Sequence, residues 1–125
     1  MTKAIGFIGL GVMGFPMAGH LSKQNKISVF NRTKTKSEIW SNTYNGKICN
    51  SPAELAKVSD VIILCVGNDN DVREIITGDQ GLLDNLKTES IIVDHTTTSA
   101  NLSKELEELL KSKDINYLDA PLSGG

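Results

Sequence analysis

Three glycines fall within six residues near the start of the chain, in the order Gly9-Leu10-Gly11-Val12-Met13-Gly14. The spacing is G-x-G-x-x-G, and spelling alone leaves an ordinary glycine-rich loop open. Context narrows the choice. The run "AIGFIGL" (4–10) is almost continuously apolar, as a strand buried on both faces must be. A helix is expected to start near Met13 or Gly14 and to run to about Gln24. Strand, turn and helix form the setting in which such a triplet binds phosphate. Gly9 then permits the tight turn, Gly11 lets the backbone approach a pyrophosphate, and Gly14 lets the helix pack against the strand. The unpaired N–H groups and the positive end of the helix would face the anion.

The rest of the chain repeats the alternation. A strand "ISVF" (27–30) is followed by the polar turn and short helix of "NRTKTKSEIWSN". In "NSPAELAKVSD" (50–60), Ser51 is an N-cap, Pro52 takes the first helical position, and Glu54 follows the cap by three residues. "VIILCV" (61–66) is a strand, "NDNDVREIIT" a helix ended by Gly78, and "SIIVDHT" (90–96) a further strand. "SANLSKELEELLKSK" (99–113) places Leu102, Leu106, Leu109 and Leu110 on one helical face. "INYLDAP" (115–121) reads as a last strand. Strands alternating with helices predict an α/β domain with a mostly parallel sheet and helices on both faces. One domain is expected over 1–125. Because "DAPLSGG" follows a strand with no closing helix, the chain reads as cut before its domain ends.

Composition excludes several classes. The 125 residues carry a formal net charge of −2, with 39% hydrophobic and 22% charged residues. No basic face points to nucleic acid or to an anionic membrane as the main partner. No apolar run approaches the ~18 residues of a membrane span, and the N-terminus lacks a secretion signal. Cys49 and Cys65 are isolated, without metal-ligand spacing, so no metal is expected. Cys65 lies within "VIILCV" and reads as a buried thiol rather than a reactive one. A reducing, cytoplasmic setting is expected.

The end of the second strand bears on the ligand. In NAD sites an acidic residue roughly 20 positions after the glycines accepts from the ribose 2′-hydroxyl. Here Phe30 is followed by Asn31 and then "RTKTK". Elsewhere such a run would be a solvated basic turn. At this position Arg32 is placed for charge-assisted bonds to the 2′-phosphate of NADP. Thr33 adds a hydroxyl, and Lys34 or Lys36 a point charge. NADP fits better than NAD.

Four motifs in order, "GFIGLGVMGFPMAGHL", "NRT", "VDHTTT" and "YLDAPLSGG", resemble the β-hydroxyacid dehydrogenases, the family of 3-hydroxyisobutyrate dehydrogenase and the glyoxylate/succinic semialdehyde reductases. The resemblance implies the N-terminal portion of a Rossmann-type, doubly wound NAD(P)-binding domain. In that family an all-helical C-terminal domain follows, absent from these residues. By resemblance, Gly9, Leu10, Gly11, Val12, Met13 and Gly14 would hold the pyrophosphate. Asn31, Arg32, Thr33 and Lys36 would meet the adenosine ribose and its 2′-phosphate. Val66 and Gly67 would lie beside the cofactor, and Thr97 near the nicotinamide. Ser123, Gly124 and Gly125 match the "SGG" that holds a small carboxylate substrate.

The family's catalytic lysine lies beyond Gly125, so no catalytic residue is assigned within this chain. The resemblance implies an NADP-dependent hydride transfer to or from a small 3-hydroxy acid, semialdehyde or glyoxylate-type substrate in the full-length protein. The 125 residues alone are expected to be inactive. Family members pair largely through the helical domain, so a homo-oligomer is an expectation for the full-length protein only. The chain departs from the family at Gly67, often Pro there, which is expected to loosen the loop. It departs also at His20, usually Asn, and at His95; structural roles are expected for both. Two rivals stand beside this reading. One is a non-catalytic NADP-binding or scaffold domain of the same fold, and the other an enzyme like 6-phosphogluconate dehydrogenase.

Overall fold

A computed structural model describes residues 3–121. Strand β1 (Ala4–Ile8) passes through the glycine turn into helix α1 (Gly14–Leu21). There follow β2 (Lys26–Phe30), α2 (Lys34–Thr43), β3 (Lys47–Ile48), α3 (Pro52–Lys57) and β4 (Val61–Leu64). The chain continues through α4 (Asp69–Thr77), a 3-10 turn at Leu83–Asn85, β5 (Ile91–Asp94), α5 (Ala100–Lys111) and β6 (Asn116–Asp119).

The six strands lie in the order β3-β2-β1-β4-β5-β6, and every neighbouring pair is parallel. This is the Rossmann order, as the alternation and the resemblance imply. The winding reverses between β1 and β4. There the outgoing connections diverge and leave a crevice beyond the carboxyl ends of the strands. The register makes those ends flush, since Ile8 pairs with both Phe30 and Leu64, and Leu64 with Asp94.

Helices cover both faces, giving two cores. On one face Ile8, Ile62, Leu64 and Ile92 meet Leu55 of α3, Val72 and Ile76 of α4, and Leu102, Leu106 and Leu110 of α5. On the other, Ile5, Phe7, Ile27 and Val29 meet Ala18 of α1 and Trp40 of α2. The α5 stripe is the one its periodicity predicts, except that Leu109 is only half-buried. Each fully buried leucine contributes about 1.5–3 kcal/mol. The helix starts also follow the sequence. Ser51 Oγ accepts from Glu54 N–H at 3.1 Å and Ser99 Oγ from Leu102 N–H at 3.2 Å. The Glu54 carboxylate reaches back to Asn50 N–H at 3.4 Å, one residue before the cap.

The structure departs from the sequence reading in places: α1 ends at Leu21 rather than near Gln24, and β6 at Asp119 rather than at 121. Strand β3 was not anticipated, because two residues are too few to show a period. Strands β1, β4 and β5 also stop two residues before the stretches read as strands do. In each case a side chain takes an N–H group that would otherwise continue the ladder or turn. Leu10 N–H donates to Asn31 Oδ1 at 2.8 Å, Val66 N–H to Thr96 Oγ1 at 3.0 Å, and Thr96 N–H to Asp94 Oδ1 at 2.9 Å. The chain thereby leaves the sheet at the switch point. No helix among the described residues is long and apolar enough to cross a membrane.

Candidate functional site

The crevice at the switch point is a cleft of about 690 Å³, within the size range of small-molecule sites. Its floor is the glycine turn. Gly9 has φ +104°, and its N–H donates to the Phe30 carbonyl at 3.1 Å. A β-carbon there would run into the Cys65 carbonyl of the neighbouring strand's exit loop. At Gly14 a β-carbon would run into the Gly9 carbonyl and lie 3.1 Å from the Phe7 ring. Gly11 differs, since a β-carbon there would meet nothing within 4 Å, and its open side faces the cleft. Among the described residues, no hydrogen bond engages the N–H groups of Gly11, Val12 or Met13. Free donors at the start of an eight-residue helix, over open space, suit an anion. A dinucleotide's pyrophosphate fits this turn. Leu10 is the exception among the turn residues, buried in the core and absent from the cleft wall.

The end of β2 forms one wall. Asn31, Arg32, Thr33 and Lys36 all line the cleft. The Asn31 side chain is already engaged at both ends, accepting from Leu10 N–H and donating Nδ2–H to the Thr33 carbonyl at 3.0 Å. It therefore positions the glycine turn against β2, a task that sequence reasoning did not give it. Arg32 is 84% exposed, and its Nη1 lies 3.3 Å from Asp71 Oδ1.

The exit loops of β4 and β5 form the opposite wall, with Cys65, Val66, Gly67, His95, Thr96 and Thr97. This wall is held from below by Asp94, which is fully buried. Its carboxylate accepts from Thr96 N–H at 2.9 Å and from the Tyr117 hydroxyl at 2.8 Å. Burial pushes the Asp94 carboxyl above its ordinary range, against the opposing pull of the Thr96 and Tyr117 donors. Burial, and then the charge of Asp94, push the Tyr117 hydroxyl well up. The same two causes raise the half-buried Cys65 thiol, which is therefore held protonated. His95 Nδ1 lies 2.7 Å from the Ala120 carbonyl, which orients the ring. His20 is exposed in the last turn of α1 and is not part of the cleft.

Twelve of the proposed cofactor residues thus meet in one cleft, all but Leu10. Ser123, Gly124 and Gly125 lie outside the described residues. Sequence reasoning missed the acidic side of the cleft, where Asp71 and Glu74 of α4 and Asp79 beyond it stand opposite Arg32 and Lys36. No local pattern marks them, because Asp71 meets Arg32, in the loop after β2, across 39 residues of chain. Among the described residues, no group of three or more His, Cys, Asp or Glu could hold a metal ion.

Residues 4–125 match the family described as the NAD binding domain of 6-phosphogluconate dehydrogenase. An uncharacterized oxidoreductase of Shewanella frigidimarina is 45% identical over 97% of this chain and 42% of its own. The 3-hydroxyisobutyrate dehydrogenase of Mycobacterium tuberculosis, solved with L-serine, superposes with a TM-score of 0.89 at 28% identity. The match covers 100% of this chain and 42% of that one. A protein named Psf3, solved with NADP+ and 2-OPP, gives a TM-score of 0.89 at 27% identity over 97% of this chain and 43% of its own. The chain therefore spans well under half the length of these relatives. On the match across 4–125 and the cleft at its switch point, the chain belongs to the family of the NAD binding domain of 6-phosphogluconate dehydrogenase.

Proposed function

We propose that the cleft takes NADP(H), and that the whole protein is an oxidoreductase of the 3-hydroxyisobutyrate dehydrogenase type. The observation that carries the cofactor choice is the wall at the end of β2. It offers Arg32, Thr33 and Lys36 where an NAD site has an acid. Similarity to Psf3, solved with NADP+, supports the same choice. A nicotinamide so bound supplies the hydride chemistry. The chain's own part is to hold and orient. The N–H groups of Gly11, Val12 and Met13 bind the pyrophosphate, and Arg32 pairs with the 2′-phosphate. Asn31 fixes the turn, and Thr97 faces the nicotinamide end.

The substrate is a small hydroxy acid or its aldehyde, held by Ser123, Gly124 and Gly125, while a lysine beyond Gly125 handles the proton. A following helical domain completes the site, so the 125 residues alone bind cofactor weakly and turn nothing over. The free thiols of Cys49 and Cys65 accord with a reducing, cytoplasmic setting.

The test is a pair of titrations. Arg32→Ala is expected to weaken NADPH binding about tenfold, which is about 1.4 kcal/mol, and to leave NADH within about twofold. Unchanged preference for NADPH in that variant would remove Arg32 from the role. Whole protein that binds NADPH but reduces neither glyoxylate nor succinic semialdehyde would favour the non-catalytic rival.

A further inference from the structure

Asp71 stands in the place where a second anion would compete for Arg32. It is the third residue of α4, and its N–H donates to the N-cap Asn68 Oδ1 at 3.0 Å, which pins its backbone. One carboxylate oxygen lies 3.3 Å from Arg32 Nη1. The other lies 2.8 Å from the position a β-carbon at residue 67 would occupy. Gly67 thus makes the space that the Asp71 carboxylate fills, where a larger residue would displace it. The carboxylate is 20% exposed, against 84% for the arginine, so the fixed member of the pair is the acid.

Two anions cannot share one guanidinium fork at full strength. A 2′-phosphate reaching Arg32 must draw it from Asp71 and sit near a fixed like charge. A 2′-hydroxyl meets no such opposition, and the Asp71 carboxylate on the facing side of the cleft is an acceptor. We propose that Asp71 is a specificity-determining residue that lowers the preference of this site for 2′-phosphorylated adenosine, by holding Arg32 as its own counter-ion. The inference rests on the reading of Arg32 as the 2′-phosphate ligand. It adds that the selectivity is set by the pair, with Gly67 as the residue that admits the acid.

Adenosine 2′,5′-bisphosphate and 5′-AMP isolate the effect, since they differ only at the 2′ position. Calorimetric titrations of the whole protein would compare the parent with Asp71→Asn, Gly67→Ala, Arg32→Ala and the Arg32→Ala/Asp71→Asn double variant. Asp71→Asn is expected to bind the bisphosphate about threefold to tenfold tighter, with 5′-AMP within about twofold. Gly67→Ala, which displaces the carboxylate without removing it, is expected to shift binding the same way. The gain should be smaller in the Arg32→Ala background and should shrink at high salt. If Arg32→Ala weakens the bisphosphate while Asp71→Asn and Gly67→Ala leave it unchanged, the present inference falls and the NADP reading stands. If Arg32→Ala leaves the bisphosphate unaffected, both fall.

Discussion

Gly9→Ala is expected to lower the unfolding free energy by about 3 kcal/mol or more and to abolish dinucleotide binding with it. Two costs combine at this position. The φ of +104° is one that a side chain rarely adopts, and the new methyl would enter the Cys65 carbonyl rather than a movable side chain. Relief would require β1 and β4 to part at their carboxyl ends, where Ile8 and Leu64 are paired. Gly11→Ala is the control. With nothing within 4 Å of its methyl, its stability should change by less than about 1 kcal/mol, yet the methyl would fill the approach to the free N–H groups. Urea denaturation and calorimetry on the two variants separate the turn's architecture from its use. A Gly9→Ala protein as stable as the parent would refute this account of the turn.

Tyr117→Phe is expected to cost about 1.5–3 kcal/mol at neutral pH, since it leaves one oxygen of a fully buried carboxylate without its donor. The cost should depend on pH in a defined direction. The Asp94 carboxyl is already raised by burial, and losing the hydroxyl raises it further. A raised carboxyl has its full contribution below the unfolded value, about 3.9, and loses it as pH rises through the folded value. The deficit of the variant should therefore be large at neutral pH and close as pH falls towards 4. The gap should narrow again above about pH 10. There the parent loses stability, because its Tyr117 resists an ionisation that the unfolded chain undergoes freely. Denaturation midpoints across this range give the test, and a deficit constant with pH would show that the bond to Asp94 is not its source.

The parts of the fold carried by local pattern are legible in the sequence itself. The α5 leucines, the cap at Ser51 and the G-x-G-x-x-G spacing each depend on neighbours within a few residues. Strand ends are not, because their limits are set by side chains from elsewhere. Leu10 leaves the sheet for Asn31 and Val66 for Thr96, contacts spanning 21 and 30 residues. The cleft divides along the same line. Its β2 wall is legible from Asn31, Arg32, Thr33 and Lys36, since the residues after a second strand have a known place in this topology. Its acidic wall is not. Asp71 is 39 residues from Arg32, and in sequence it looks like an ordinary acid in the first turn of a helix.

The close seat of Gly9 against the Cys65 carbonyl also has a consequence in time. β1 pairs with β2 across 22 residues of chain, but with β4 only across 56. Parallel pairings of long separation form late, because the chain must close a large loop before any contact rewards it. The first βαβ unit holds the three glycines, yet it lacks the carbonyl that bounds their turn and the Thr96 hydroxyl that bounds the loop opposite. During synthesis, the first half of this chain therefore carries the fingerprint without its cleft. The capacity to hold a nucleotide appears only after β4 has docked beside β1.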